Sequence, residues 1–351
     1  MLFKIKGSLS LSTMISVCLL FAYSPAQAED KYVAEAGHAS LQEWLLPDEA
    51  PYPAGNKPNE ARIALGKMLF FDTRLSGDSN MSCATCHSPL YGWGDGLETG
   101  KGFRSKILDR ASPVVTNTAF NSIQMWDGRK KSLEDQAMGP MEATAEMNMN
   151  IPKLFKFLNN SEGYKAAFAK AYPGEKIDAT TLSKGMASFE RTIISNNSPF
   201  DKWVKGDAKA MTAQQVNGFK VFVGKANCVA CHSAPNFTDN GFHNIGLASY
   251  GKKNPDVGRF AQRPLKLMKG AFKTPTLRDI SYSAPYFHDG AESTLQGVVE
   301  HYAKGGVVKT NLSPNMEEIK LNAAEKQSLV EFMKALNSER KPFTLPVLPV
   351  K

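Results

Sequence analysis

The sequence predicts a mainly α-helical chain of two domains, and three observations carry that prediction. Cys83-Ala84-Thr85-Cys86-His87 and Cys228-Val229-Ala230-Cys231-His232 are two copies of one motif, 145 positions apart. An apolar period near that of a helix precedes each copy, over 59–71 and 212–223. Little of the remaining chain alternates with the two-residue period of a strand. At 351 residues the chain can bury two cores, one for each motif.

Cys-x-x-Cys-His is the attachment sequence of c-type haem. Two thiols three positions apart each form a thioether to one vinyl group of a porphyrin, and the histidine that follows ligates the iron. The competing reading is a four-cysteine zinc site, which places its second pair roughly 15–20 residues after the first and has no use for the histidines. The spacing therefore predicts two covalently bound haem c groups, on His87 and His232. A helix just ahead of the motif is what a class I cytochrome c domain shows, so each half is expected to be one such domain.

The chain opens with Lys4 and Lys6, an uncharged apolar stretch from Leu9 to Tyr23, and an Ala26-Gln27-Ala28 cleavage site. This predicts a signal peptide over 1–28, export to the periplasm, and no stable membrane insertion, since the stretch is short of the ~20 residues of a spanning helix. Cleavage removes Cys18 and leaves four cysteines, all inside the haem motifs. Loss of Lys4 and Lys6 with the signal takes the formal net charge from +8 to +6, an excess that suggests a partner with an acidic docking face. No dense Lys/Arg run interleaves with aromatics, which argues against nucleic acid.

Residues 30–57 are punctuated by Pro and Gly and should wrap the surface. Beyond the first motif, 91–102 is expected as loop, and helices are expected at 132–138, with Pro140 ending it, then at 151–158, 162–171 and 182–194. A break at Asn196-Asn197-Ser198-Pro199, followed by Lys205-Gly206-Asp207, places the domain boundary near 206, giving domains of 29–205 and 206–351. The helix at 322–336 should pack against that at 212–223, and the proline-containing tail cannot continue it. Trp44, Trp93 and Trp203 read as packing residues, and His38 and His243 as hydrogen-bonded structural residues.

Met125-Trp126-Asp127-Gly128-Arg129, Glu134-Asp135-Gln136-Ala137-Met138-Gly139-Pro140, Ala145-Glu146-Met147-Asn148, Phe272-Lys273-Thr274-Pro275-Thr276-Leu277-Arg278 and Ala284-Pro285-Tyr286-Phe287-His288-Asp289-Gly290 follow in consistent order. Together they resemble the bacterial di-haem cytochrome c peroxidase and MauG family. The resemblance implies that the haem on His87 reacts with hydrogen peroxide. Glu146 would move the proton that O–O cleavage needs, Gln136 would hydrogen-bond the bound oxygen species, and Pro140 would cover the same face. Trp126 would relay electrons between the haems, and Arg278 would meet a haem propionate or form a surface salt bridge. The haem on His232 would take electrons from a small redox protein, a cytochrome c or cupredoxin. In the MauG-like alternative, peroxide oxidises residues of a partner protein. A third reading, a non-catalytic electron-transfer cytochrome, needs a second protein ligand on each iron.

Three positions qualify the resemblance. Phe103 stands sixteen after His87, where activation-dependent peroxidases carry a capping histidine, and no histidine lies between His87 and His232. The first haem is thus expected to be open to peroxide in the ferric state unless Met138, Met147 or Met149 caps it. Tyr302 falls where the classical peroxidases have an axial methionine and MauG a tyrosine, with His301 and Met316 as competing ligands of the second haem. The family's calcium site uses an asparagine that is Ala111 here. Calcium would have to be held by carbonyls, as at Ser283 and Pro285, and by water.

Overall fold

A computed structural model describes residues 31–340 and 342–350. The expected signal peptide lies outside the described residues. Among the described residues, eight longer helices carry the fold, with one short ribbon and long loops between them.

In the first half, α1 (Glu60–Phe71) starts where the Asn59 side chain accepts a hydrogen bond from the Arg62 amide, and it buries Leu65, Leu69 and Phe70. Next come α2 (Ile151–Asn160), α3 (Glu162–Ala171) and α4 (Ala179–Glu190), capped by Asn150, Ser161 and Asp178. The crossing of α1 and α4 is close enough that a Cβ on Gly66 would lie 1.9 Å from the Gly185 carbonyl oxygen. Only glycine fits there. Leu65, Leu69, Leu154, Leu158, Phe168, Leu182, Met186 and Phe189 form the first core.

The second half repeats the device. α5 (Pro199–Val204) leads to α6 (Ala213–Val223), which opens on a Thr212–Gln215 capping box. Two further helices follow, α7 (Leu295–Ala303) and α8 (Ala323–Ala335). As expected, α6 packs on α8, and a Cβ on Gly218 would lie 2.0 Å from the Ser328 carbonyl oxygen. The two haem motifs follow α1 and α6, so each glycine crossing holds the helix that feeds a motif. The only strands among the described residues, β1 (Phe242–His243) and β2 (Phe272–Lys273), pair antiparallel.

The second core is built from Phe200, Phe219, Phe222, Phe237 and Phe332 around Trp44. It also takes Tyr32 and Leu41 from ahead of α1, and Trp203 and Val204 from ahead of residue 206. The tail crosses back to the first core, where Phe343 stacks on Phe71 at 5.2 Å between centroids and the Pro349 carbonyl accepts from Arg74.

Two local expectations differ. Pro140 does not end the helix at Leu133–Ala137 but lies in the first turn of the next one, Gly139–Glu142, where its missing N–H costs nothing. Arg278 neither lines the space between the two haem motifs nor reaches the surface. It is 1% exposed, donates to both oxygens of Asp201 at 2.9 Å, and gives its remaining protons to the Trp44 and Pro235 carbonyls. It pins the N-terminal arm and α5 to the second core.

Candidate active site between the two haem motifs

One cavity of about 1440 Å³ runs between the two motifs, well above the roughly 300–1,000 Å³ of an ordinary single-ligand pocket. Cys83, Cys86, His87, Trp126, Gln136, Glu146, Cys228, Cys231, His232 and Tyr302 all line it. Residues separated by more than two hundred positions are thus brought to one space.

The motifs fit haem c. The Cys83–Cys86 turn is set by a Ser82–Thr85 capping box, and its counterpart at Cys228–Ala230 begins at Asn227, held at φ +48°. His232 Nδ1 donates to the Phe237 carbonyl at 2.9 Å, which fixes the tautomer and leaves the Nε2 lone pair free for a metal. His87 Nδ1 is buried without a hydrogen-bond partner. Burial lowers the pKa of both rings, that of His232 to about 4, so both are neutral, the form that ligates iron. Burial likewise pushes the Cys86 thiol up to about 11 and the Cys228 thiol up to about 12.

On the first-haem side, Gln136 comes from the Leu133–Ala137 helix, and Glu146 from a turn closed by its own amide donating to the Ala143 carbonyl. Burial raises the Glu146 pKa above its usual value, with Arg129 pulling the other way. Pro140 and Met147 line the cavity beside them, whereas Phe103, Met138 and Met149 do not. The Phe103 amide donates to the Ala145 carbonyl, and its ring sits under the Arg104 guanidinium at 4.9 Å.

Trp126 occupies the seam between the halves. Its indole N–H donates to the Ala111 carbonyl at 2.9 Å, and its own carbonyl accepts from the Lys273 amide at 2.8 Å. The Ala111 amide in turn donates to the His288 carbonyl, and the His288 ring stacks on Phe272 at 3.4 Å. Arg110 ties the seam by donating to Asp127 at 2.9 Å and to Asp256 at 2.6 Å. Ala111, Ser283 and Pro285, the positions of the family's calcium site, also face the cavity.

On the second-haem side, Tyr302 projects from α7 into the cavity, and burial raises its pKa. His301 faces away and its Nε2 engages the Ile245 carbonyl at 2.9 Å. That leaves Tyr302 and Met316 as the cavity-lining candidates from this region. His38 caps a helical turn and His243 pairs with Asp239 at 2.7 Å, both as expected.

Among the ionisable residues of the cavity wall that sequence reasoning missed, two are buried. Glu190, at the end of α4, is 6% exposed and burial raises its pKa to about 8. Lys273 is equally buried, its pKa falls to about 8, and its ammonium donates to the Thr274 carbonyl. A Glu within the apolar period of Leu182, Met186 and Phe189 was the available signal for the first.

Two motifs facing one cavity across a tryptophan seam define a di-haem c-type cytochrome. Residues 60–209 match the family model for di-haem cytochrome c peroxidase. The chain is 43% identical to the methylamine utilization protein MauG of Methylorubrum extorquens, over 95% of this chain and 94% of that protein. It is 33% identical to the cytochrome c551 peroxidase of Nitrosomonas europaea, over 90% of each. Among solved structures, a MauG-like protein associated with microbial copper homeostasis superimposes with a TM-score of 0.79 at 27% identity, covering 84% of this chain and 94% of that one. The chain belongs to the di-haem cytochrome c peroxidase and MauG family. It is an oxidoreductase of that family, carrying two covalently bound haem c groups. No helix among the described residues is long and apolar enough to cross a membrane.

Proposed function

We propose that the protein spends the oxidising power of hydrogen peroxide on another protein in the MauG-like manner, drawing electrons from its partner's residues through the second haem. The observation that carries this reading is Tyr302 on the cavity wall where a classical peroxidase has methionine, with His301 turned to Ile245. An anionic phenolate is a hard donor that favours higher oxidation states, whereas a thioether raises the potential and suits a haem fed by a small cytochrome. The greater identity to MauG than to the peroxidase points the same way.

Cys83, Cys86 and His87 would hold the first haem, which would supply the redox chemistry for O–O cleavage. Glu146 takes a proton from one peroxide oxygen and returns it to the other, which leaves as water. The Gln136 amide orients the bound oxygen, and Pro140 and Met147 keep bulk water from that face. Trp126 carries the electrons across the seam, and Tyr302 would serve with His232 in holding the second haem. Peroxide, two electrons and two protons give two waters, and the partner loses the two electrons. The second reading, a peroxidase supplied by a cytochrome c or cupredoxin, differs only in the electron source.

We place the mature protein in the periplasm after loss of residues 1–28. Two domains divide the mature chain near 206, with the arm 31–46 and α5 packed into the second core. The test is to add one equivalent of peroxide to the ferric holoprotein without reductant. The MauG-like reading expects two oxidising equivalents to be retained until an oxidisable protein is added. Loss of those equivalents within one turnover, with fast steady-state consumption of a small donor cytochrome, would favour the second reading.

A further inference from the structure

A surface patch outside the cavity is left unused by the peroxide chemistry. It forms where the loops 246–270 and 304–312 meet. The Asn311 side-chain amide donates to the Lys266 and Lys269 carbonyls at 3.1 and 2.8 Å, and the Val307 and Val308 amides both donate to the Gly246 carbonyl. At its centre Leu265, Leu267 and Val307 stand 48%, 53% and 59% exposed.

Lys252, Lys253, Arg263, Lys266, Lys269 and Lys304 lie on or at the edge of the same two loops, and all are exposed. None of the six enters an ion pair among the described residues. Asp256 is the only acid between 251 and 270, and Arg110 already holds it. Lys309 adds a seventh cation, its ammonium on the Lys304 and Gly305 carbonyls. The acids nearest this excess are Glu300, which interacts with Lys304 but is already paired with Lys326, and Glu317 and Glu318, whose backbone lies against Gly305.

An apolar patch among unpaired cations attracts an anionic surface at long range and makes a small, quickly released contact with it. A second copy of the same face would be repelled. The patch also stands next to the second haem site. Ser249 and Lys252 belong both to this loop and to the cavity wall, and α7 runs from Tyr302 directly into the 304–312 loop.

We infer that this surface docks an acidic protein that exchanges electrons with the second haem. The electron exchange rests on the reading above; the docking does not.

The experiment measures binding of a small acidic c-type cytochrome to the holoprotein by calorimetry, at low and high salt, with a basic cytochrome c and phosphatidylglycerol vesicles as comparisons. The acidic probe should bind, and affinity should fall steeply with salt. Lys266→Glu with Lys269→Glu should weaken binding by about tenfold or more, and Leu265→Ser should weaken it with less effect on the salt dependence. Peroxide consumption with a small uncharged reductant should be unchanged in these variants. Equal affinity of wild type and charge-reversed protein, equal binding of the basic cytochrome, or binding of the vesicles in place of the acidic protein would overturn the inference. Binding as described without any peroxide-driven oxidation would leave the docking surface standing and remove the proposed function instead.

Discussion

The Trp126 indole N–H is bonded to the Ala111 carbonyl at 2.9 Å, while the Trp126 carbonyl is bonded to the Lys273 amide across the seam. The residue is therefore tied to both halves of the protein, its ring through Ala111 and its backbone through Lys273. Trp126→Phe keeps the aromatic volume and removes both this hydrogen bond and the readily oxidised indole. Electron transfer between the haems should slow by on the order of tenfold or more, equivalent to ~1.4 kcal/mol on the barrier. Both haems should remain attached. Flash reduction of the second haem followed by re-equilibration measures it, and an unchanged rate would reduce Trp126 to packing.

If Tyr302 ligates the second haem as proposed, Tyr302→Met would exchange an anionic donor for a thioether. The midpoint potential of the second haem should rise by on the order of 0.1 V or more, within the ~0.8 V that axial ligands span. Retention of oxidising equivalents after peroxide should shorten in parallel. If spectrum and potential stay where they are, Tyr302 is not the ligand, and Met316, which also faces the cavity, takes its place as the candidate.

Glu146→Gln keeps the shape and removes the proton carrier. Reaction with peroxide should slow by about 10²–10⁴-fold, the usual weight of a general acid–base group. In the wild type, burial disfavours the carboxylate, so the group stays protonated to a higher pH than an exposed glutamate. A base must be ionised to accept a proton, so the rate should fall as pH drops through this raised pKa and recover above it. Arg129 opposes the shift. Arg129→Gln should therefore move the acid limb further upward, and stopped-flow rates from pH 4 to 8 would reveal it.

Phe103 cannot ligate iron, and it does not face the cavity. Fully ferric protein mixed rapidly with peroxide should change its spectrum without prior reduction. If no change occurs until one electron has been added, a cap exists. Met147, which does face the cavity, would then be the residue to replace.

Removing the Arg278 guanidinium strands Asp201 in the second core. Arg278→Met should lower the stability of the holoprotein by about 3–5 kcal/mol, the cost of breaking a buried pair from one side. The double variant Arg278→Met with Asp201→Leu should recover part of that loss. Denaturant midpoints would decide. A loss equal to the sum of the two single losses would mean that the pair is not coupled.

The local elements were legible in the chain because their causes are local. Asn59, Thr212 and Asn322 cap helices whose apolar period is visible in one dimension. Two thiols and a histidine at fixed spacing identify haem attachment wherever the chain runs. What lay beyond the sequence depends on distant segments meeting. Arg278 looked like a propionate or surface residue until Asp201 and the Trp44 carbonyl surrounded it. His301 and Tyr302 are neighbours in the chain, and only the rotation of α7 sends one to Ile245 and the other into the cavity. Glu190 and Lys273 acquire perturbed pKa values from burial, which composition does not record. The sequence by itself determined two haem-binding helical halves and the family to which they belong. Tertiary packing decided which side chains face the shared cavity, because desolvation, seam hydrogen bonds and docking surface are properties of contacts between segments far apart in the chain.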